Sequence, residues 1–142
     1  MAEEYEICVT SQLTKLEQIS EFVADRALLA GMSEDQAFAV QMAVDEACTN
    51  TIEHAYEGRE EGEVHVCCYV EEEDFVVRIT DHGKPFDPSS IPEPDISVLL
   101  EERQVGGLGI YLMKKLMDSV EFRFDQALGN MVTLRKRRQV SR

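Results

Sequence analysis

The chain has 142 residues, which is enough for one domain with a single hydrophobic core and too few for two ordinary domains. With 44% hydrophobic and 30% charged residues it lies in the range of folded globular proteins and outside the disordered classes. Its formal net charge of −14 repels phosphate backbones and anionic lipid surfaces, so nucleic acid and membrane are poor candidate partners. No apolar run approaches the roughly 18 residues that span a bilayer. We therefore expect one domain over residues 1–142, located in the cytoplasm.

The four cysteines are Cys8, Cys48, Cys67 and Cys68, and none of them forms a C-x-x-C pair. Cys67 and Cys68 are adjacent, so in a strand their side chains point to opposite sides. This spacing predicts neither a zinc site nor a disulfide framework, and we expect reduced thiols.

Hydrophobic periodicity and turn residues divide the chain into strands and helices. A helix start is predicted at Ser33, where Gln36 completes a capping box. The predicted elements are, in chain order, a strand at 5–9, helices at 13–29 and 34–57, strands at 64–70 and 75–80, a helix at 108–117, and strands at 120–125 and 131–136. Hairpin-connected strands with segregated helices predict an α+β fold, a two-layer sandwich whose mixed, mainly antiparallel sheet is covered on one face by helices.

The long irregular stretch between the third predicted strand and the third predicted helix, residues 81–109, predicts a functional loop. Loops of that length in a small domain commonly serve as binding loops or lids. The basic cluster at 135–138 has two open interpretations, an exposed end or a counter-charge within the molecule, and both are preferred over a nucleic-acid site.

Three polar side chains of the second predicted helix, Glu46, Asn50 and His54, recur at intervals of four and should form one stripe. A carboxylate, an amide and an imidazole in line can supply a general base, an oxygen ligand for Mg²⁺ and a phosphate donor. The alternative is that the stripe is only the solvated side of an amphipathic helix.

A second group follows the strand that ends at Thr80. The carboxylate of Asp81 can accept a hydrogen bond from an exocyclic amine, and Gly83 allows a planar ring to approach the backbone. The alternative is an ordinary β-turn in which Gly83 and Pro85 are turn residues.

A third group, Gly106-Gly107-Leu108-Gly109, stands at the start of the third predicted helix. Backbone N–H groups at such a start can hold phosphates, and the helix dipole adds to the attraction. The sequence matches neither the P-loop nor the dinucleotide-binding pattern, and a glycine-rich turn can also be purely structural.

Taken together, the segments 44–56, 81–87 and 106–112 resemble the gyrase, histidine-kinase and MutL ATPase superfamily, which has the Bergerat fold. Within it, the small anti-sigma serine kinases of bacteria are the most similar, and the resemblance covers essentially the whole chain. It implies ATP and Mg²⁺ as cofactors.

The resemblance also implies a role for each matching residue. Asn50 would hold the Mg²⁺ that bridges the phosphates, Glu46 would deprotonate an acceptor serine, and Asp81 would bind the adenine amine. Further nucleotide contacts are implied for His54, Gly83, Gly106, Gly107, Leu108, Gly109 and Thr133, and the loop between Phe86 and Val105 would be the ATP lid.

Positive charge near the phosphates is scarce in so acidic a chain, and Lys84 is one candidate source. Relatives often carry an arginine directly before the glycine-rich box, where this chain has Gln104-Val105 and only Arg103 nearby. Arg103 can substitute for it through movement of the lid, or phosphoryl transfer is impaired.

Three functional hypotheses follow from the resemblance and this departure. The first is a serine kinase and anti-sigma factor that binds a sigma factor and phosphorylates a small STAS-type antagonist, a partner-switching role in stress response. The second is a nucleotide-regulated binding module that never transfers phosphate. The third is a sensor histidine kinase fragment, but the chain has no room for the phosphoacceptor helix pair that such a kinase needs. Surplus apolar residues, Phe22, Leu28, Leu29 and Phe38, predict a homodimer.

Overall fold

The computed structural model describes residues 3–85 and 105–138, and the side chains of 105–108 lie outside that description. Three α-helices and five strands make up the described chain. In chain order they are β1 (Tyr5–Thr10), α1 (Leu16–Leu29), α2 (Glu34–Asn50), β2 (Glu63–Glu71), β3 (Asp74–Asp81), α3 (Val105–Leu116), β4 (Ser119–Asp125) and β5 (Gly129–Arg137). A 3₁₀ turn, Leu13–Lys15, precedes α1, and a π-helical turn, Thr51–Ala55, continues α2.

The five strands form one sheet in the order β1-β2-β3-β5-β4, and every pairing among the described strands is antiparallel. The predicted two-layer α+β architecture is therefore confirmed, with an antiparallel sheet where a mixed one was expected. Alternate strand residues point to one face, where they pack with the helices into a single core that includes Val66, Val77, Leu134, Val40 and Met113. The other face of the sheet, here called the open face, has no helix on it within the described chain.

A local sequence signal sets the start of α2. The predicted capping box is confirmed, because Gln36 N donates to Ser33 Oγ and Ser33 N donates to Gln36 Oε1, each over 3.1 Å. The helix that carries the glycine-rich box begins at Val105, earlier than the predicted start at residue 108, so Gly106 and Gly107 lie in its first turn and Gly109 follows it. The first four N–H groups of a helix have no acceptor within it, so this turn offers backbone donors.

The basic cluster at the end of β5 is a counter-charge within the molecule, as one of the two interpretations predicted. Arg135 and Arg137 pair with Glu71 and Glu73 of the acidic hairpin between β2 and β3. Arg138 donates to the carbonyl oxygen of Ala30 at the end of α1, over 2.9 Å. Cations at a helix C-terminus also interact favourably with the helix dipole.

Large apolar side chains remain exposed on α1 and α2, as the sequence predicted. Leu29 is 72% exposed and Phe38 is 60% exposed, and Leu28 and Met42 extend the same exposed set. Phe22 differs from these residues, because its side chain is half-buried and packs against the core. Among the described residues, no helix combines the length and apolarity needed to cross a membrane.

Candidate functional site

A pocket lies between α2, α3 and the ends of β3, β4 and β5. Its polar lining consists of Asn50, Thr51, Asp81, Lys84 and Asn130. Its apolar lining includes Met113, Phe122, Phe124 and Val132. An apolar pocket with a few polar groups at fixed positions is typical of small-molecule sites.

Asp81, the last residue of β3, is the buried acceptor of this pocket. It is only 6% exposed, and its Oδ1 accepts hydrogen bonds from Gly83 N at 2.9 Å and from Asn130 Nδ2 at 2.8 Å. Both bonds that the described residues make to this carboxylate fall on Oδ1, which leaves Oδ2 for a ligand. A buried carboxylate fixed by two donors is an oriented acceptor for an amine.

Gly83 shapes the pocket from behind, because it lets the chain leaving β3 pass against the end of the second helix. A Cβ at this position would be 2.4 Å from the carbonyl oxygen of Ala55, closer than real Cβ contacts occur. The next residue, Lys84, donates its N–H to that same oxygen over 2.7 Å. Gly83 itself is not one of the pocket-lining residues, so its predicted contact with adenine stays a prediction.

Asn50 places an unsatisfied amide in the pocket. Its Nδ2 is buried and has no hydrogen-bond partner among the described residues. A buried amide without a partner costs about 1–3 kcal/mol, so this group is available to a ligand, an ion or a water in the pocket. Rotation about χ2 exchanges the amide oxygen and nitrogen, so the same side chain can present the oxygen that Mg²⁺ requires.

Glu46, one turn before Asn50, lies against the helix that carries the glycine-rich box. A Cβ added to Gly109 would be 2.7 Å from Glu46 Oε2, so the absence of a side chain there makes room for the carboxylate. Burial, followed by the charges of Asp45 and Glu53, raises the pKa of Glu46. The first and third predicted groups therefore meet in space, with a carboxylate of raised pKa at the α3 N-terminal turn.

His54 does not line the pocket to which Asn50 contributes. The π-helical turn, in which Tyr56 N donates to Thr51 O over 3.0 Å, changes the helix period after Asn50. His54 is consequently exposed in a neighbouring depression that it lines together with Glu53 and Lys84. The predicted stripe of three is thus a pair, and a phosphate contact by His54 stays a prediction.

Thr133, Arg103 and the lid complete the list of predicted positions. Thr133 alternates along β5 with Val132 and Leu134, which point into the core, so it belongs to the open face and does not line the pocket. Arg103 and the residues of the predicted lid up to 104 lie outside the described chain. Lys84 lines the pocket as expected.

Two residues that support Asp81 were not identified from the sequence. Asn130 pairs directly with Asp81 in the β3–β5 register, and its Nδ2 also donates to Gly83 O over 3.0 Å. The Tyr56 hydroxyl accepts from His82 N at 2.9 Å and donates to Glu63 O at 2.6 Å, which fixes the residue after Asp81. A prediction of the strand register would have been needed to find Asn130, because only pairing brings it to Asp81.

Comparison with known proteins agrees with this geometry. The family model described as "Histidine kinase-like ATPase domain" matches residues 9–136. A serine-protein kinase RsbW of Listeria monocytogenes is 34% identical over 108 residues, which cover 73% of this chain and 69% of the relative. Serine-protein kinase RsbW of Bacillus cereus is 31% identical over 130 residues, covering 84% of this chain and 81% of the relative.

The fold also has a solved counterpart. The crystal structure of the RsbU and RsbW domains of Rv1364c from Mycobacterium tuberculosis superposes with a TM-score of 0.68 over 97% of this chain, at 13% sequence identity. The match covers 34% of that longer chain. The fold, the family match and the relatives together show that this chain belongs to the histidine kinase-like ATPase domain family and, within it, to the anti-sigma serine-protein kinases of the RsbW type.

Proposed function

We propose that this chain uses Mg-ATP to phosphorylate a serine of a small STAS-type antagonist protein, and that it also binds a sigma factor. Its relatives carry the name serine-protein kinase RsbW. By membership of that family, the chain is an anti-sigma factor with serine kinase activity. The identity of the sigma factor and of the antagonist belongs to the proposal.

The observation that carries the proposal is the meeting of Glu46 with Gly109. The Glu46 carboxylate lies beside the N-terminal part of α3, where the phosphates of a nucleotide would meet the backbone N–H groups of the helix. Its raised pKa brings it nearer to the working range of a general base, which is most effective when its pKa approaches the ambient pH. Glu46 is the base in this proposal, and it would take the proton of the acceptor serine.

The residues present fit a magnesium–nucleotide complex. Bound Mg²⁺ neutralises charge on the phosphates during transfer. Asn50 would hold the ion and Asp81 would accept from the adenine amine. Gly106, Gly107 and Leu108 would offer backbone N–H groups to the phosphates, and Gly109 would contact them without a side chain in the way. Lys84 adds a positive side chain at the pocket rim, in a chain of net charge −14.

The homodimer and the location in the cytoplasm are also part of the proposal. The exposed Leu28, Leu29, Phe38 and Met42 support a homodimer, since burial of apolar area drives association. A sigma factor acts inside the cell, so a chain that binds one must share its compartment.

The test uses affinity capture from the native cytoplasm with the full chain in Mg-ADP and in Mg-ATP, followed by phosphoserine analysis of the captured proteins. The wild type should yield a small protein that gains one phosphate only with ATP. Glu46→Gln should bind ATP within about threefold of the wild type and lose transfer by roughly 10²–10⁴-fold, because a general base contributes that much to the rate. Glu21→Gln, an exposed carboxylate on α1 that does not act on the pKa of Glu46, is the matched control and should retain transfer.

Two results separate the alternatives. If Glu46→Gln transfers phosphate at the wild-type rate, Glu46 is not the base. If the same partners are captured and no phosphate reaches any of them, the chain is a nucleotide-regulated binding module, and the residues before the glycine-rich box become the cause to examine.

A further inference from the structure

Three side chains of metal-binding type meet on the open face of the sheet, at the β1 edge and away from the pocket. Cys8 of β1 lies directly opposite His65 of β2 in the antiparallel register. Glu63 precedes His65 by two residues on the same strand, so both point to the same face. All three side chains are exposed.

The distances between their ligand atoms match the edges of a tetrahedral zinc site. Cys8 Sγ is 3.7 Å from His65 Nε2, and His65 Nε2 is 3.3 Å from Glu63 Oε2. With ordinary Zn–S, Zn–N and Zn–O bond lengths, a tetrahedral angle gives about 3.6 Å between sulfur and nitrogen and about 3.4 Å between nitrogen and oxygen. All three ligand atoms lie within 4.8 Å of one another. Small side-chain rotations therefore suffice to bring them onto one ion.

We propose that Cys8 Sγ, His65 Nε2 and Glu63 Oε2 bind one Zn²⁺, with water as the fourth ligand. Sulfur, imidazole and carboxylate are the three donor types that zinc accepts, and three protein ligands with one open position are a known zinc arrangement. On binding, the Cys8 S–H bond breaks, the thiolate binds the ion, and the proton goes to solvent. Thiolate, carboxylate and neutral imidazole together balance the charge of Zn²⁺.

Zinc binding at Cys8 requires release of the thiol proton to solvent. The affinity of the site for zinc should therefore rise with pH.

The site would fasten an edge strand. Among the described strands, β1 pairs with β2 alone, so its attachment to the sheet rests on one ladder, and one ion bridging Cys8 and His65 adds a cross-link to it. The cysteine spacing gave no indication of this site, since its ligands come from strands that are far apart in sequence and meet only through the register.

The test measures zinc binding to the full, nucleotide-free chain by isothermal titration. Cobalt(II) serves as a spectroscopic probe, because a thiolate ligand gives a charge-transfer band that carboxylates alone do not. We expect one equivalent of Zn²⁺, a thiolate–cobalt band and a rise in Tm of several degrees with zinc. Cys8→Ser and His65→Gln should each weaken binding by at least about tenfold, since even outer-shell substitutions cost that much.

Two controls keep the result specific. Cys67→Ser alters the neighbouring thiol on the same face, which belongs to a separate group with Glu4 and Glu6, and should leave zinc binding unchanged. Glu46→Gln should also leave it unchanged, which separates this site from the nucleotide pocket. The proposal is overturned if no saturable zinc binding occurs or if Cys67→Ser abolishes binding. It is also overturned if Cys8→Ser binds zinc like the wild type while its Tm in metal-free buffer, the check on folding, is unaltered.

Discussion

Replacing Asp81 by asparagine tests the nucleotide pocket without altering its shape. In the wild type, Gly83 N and Asn130 Nδ2 both donate to Oδ1, at 2.9 and 2.8 Å. Two fixed donors require an acceptor, so the amide oxygen of Asp81→Asn must take the place of Oδ1. Its NH₂ group then occupies the position of Oδ2, where the proposal has the adenine amine donate. A hydrogen-bond acceptor for the ligand thus becomes a donor.

The magnitude follows from that exchange. A hydrogen bond to a charged acceptor contributes about 1.5–3 kcal/mol, and leaving the ligand's amine without a partner in a pocket where Asp81 is 6% exposed adds to the loss. We expect a total loss of about 2–4 kcal/mol, which is a roughly 30- to 1,000-fold rise in the Kd for Mg-ATP. Guanine carries a carbonyl oxygen at the corresponding ring position, so Mg-GTP should lose less affinity than Mg-ATP. The free energy of unfolding should change by no more than about 1 kcal/mol, because both internal hydrogen bonds survive.

The assay is titration calorimetry with Mg-ATP and Mg-GTP, with urea unfolding of the same samples as the check on folding. Asp74→Asn, at the opposite end of the same strand, is the matched control and should bind both nucleotides like the wild type. A folded Asp81→Asn variant that keeps the wild-type Kd for Mg-ATP would refute the assignment of Asp81 as the adenine acceptor.

Four further outcomes are expected. The rate of phosphoryl transfer should fall on acidification, with a midpoint above 4.5, the ordinary pKa of a glutamate carboxyl. Burial and neighbouring charges raise the pKa of Glu46, and protonation removes the base, so a rate profile between pH 4 and 8 tests this. Asn50→Ala should weaken Mg-ATP binding at least about tenfold in titration calorimetry. It should not lower the Tm of the nucleotide-free chain in thermal melts, since it removes a buried amide that has no partner among the described residues. Gly83→Ala should lower the free energy of unfolding by about 2–4 kcal/mol in urea, because its Cβ meets the Ala55 carbonyl at 2.4 Å. Phe38→Glu should convert a homodimer into a monomer of unchanged circular dichroism by light scattering, and a wild type that is monomeric would contradict the dimer.

Much of the fold follows from signals that act over a few residues. The capping box of Ser33 and Gln36 depends on two residues three positions apart, and the structure forms it as predicted. Strand alternation, the acidic hairpin at 71–74 and the three polar groups of the site are likewise local patterns. For the same reason, Glu46 and Asn50 on one helix, Asp81 at a strand end and the glycines at a helix start could be singled out from the sequence.

What the sequence left open depends on how distant segments meet. The stripe from Glu46 to His54 assumed one helix period, and a π-helical turn that local spacing does not reveal takes His54 away from the pocket. Asn130 reads as a turn residue, and only the pairing of β3 with β5 makes it the partner of Asp81.

The zinc ligands show the same limit. Cys8 and His65 are 57 positions apart and meet because β1 pairs with β2 in one particular register. The sequence by itself thus determined the elements and the chemical groups they carry, since propensity, capping and periodicity are short-range. The tertiary structure decided which groups share a site, because strand register and helix packing are fixed by burying the core as a whole.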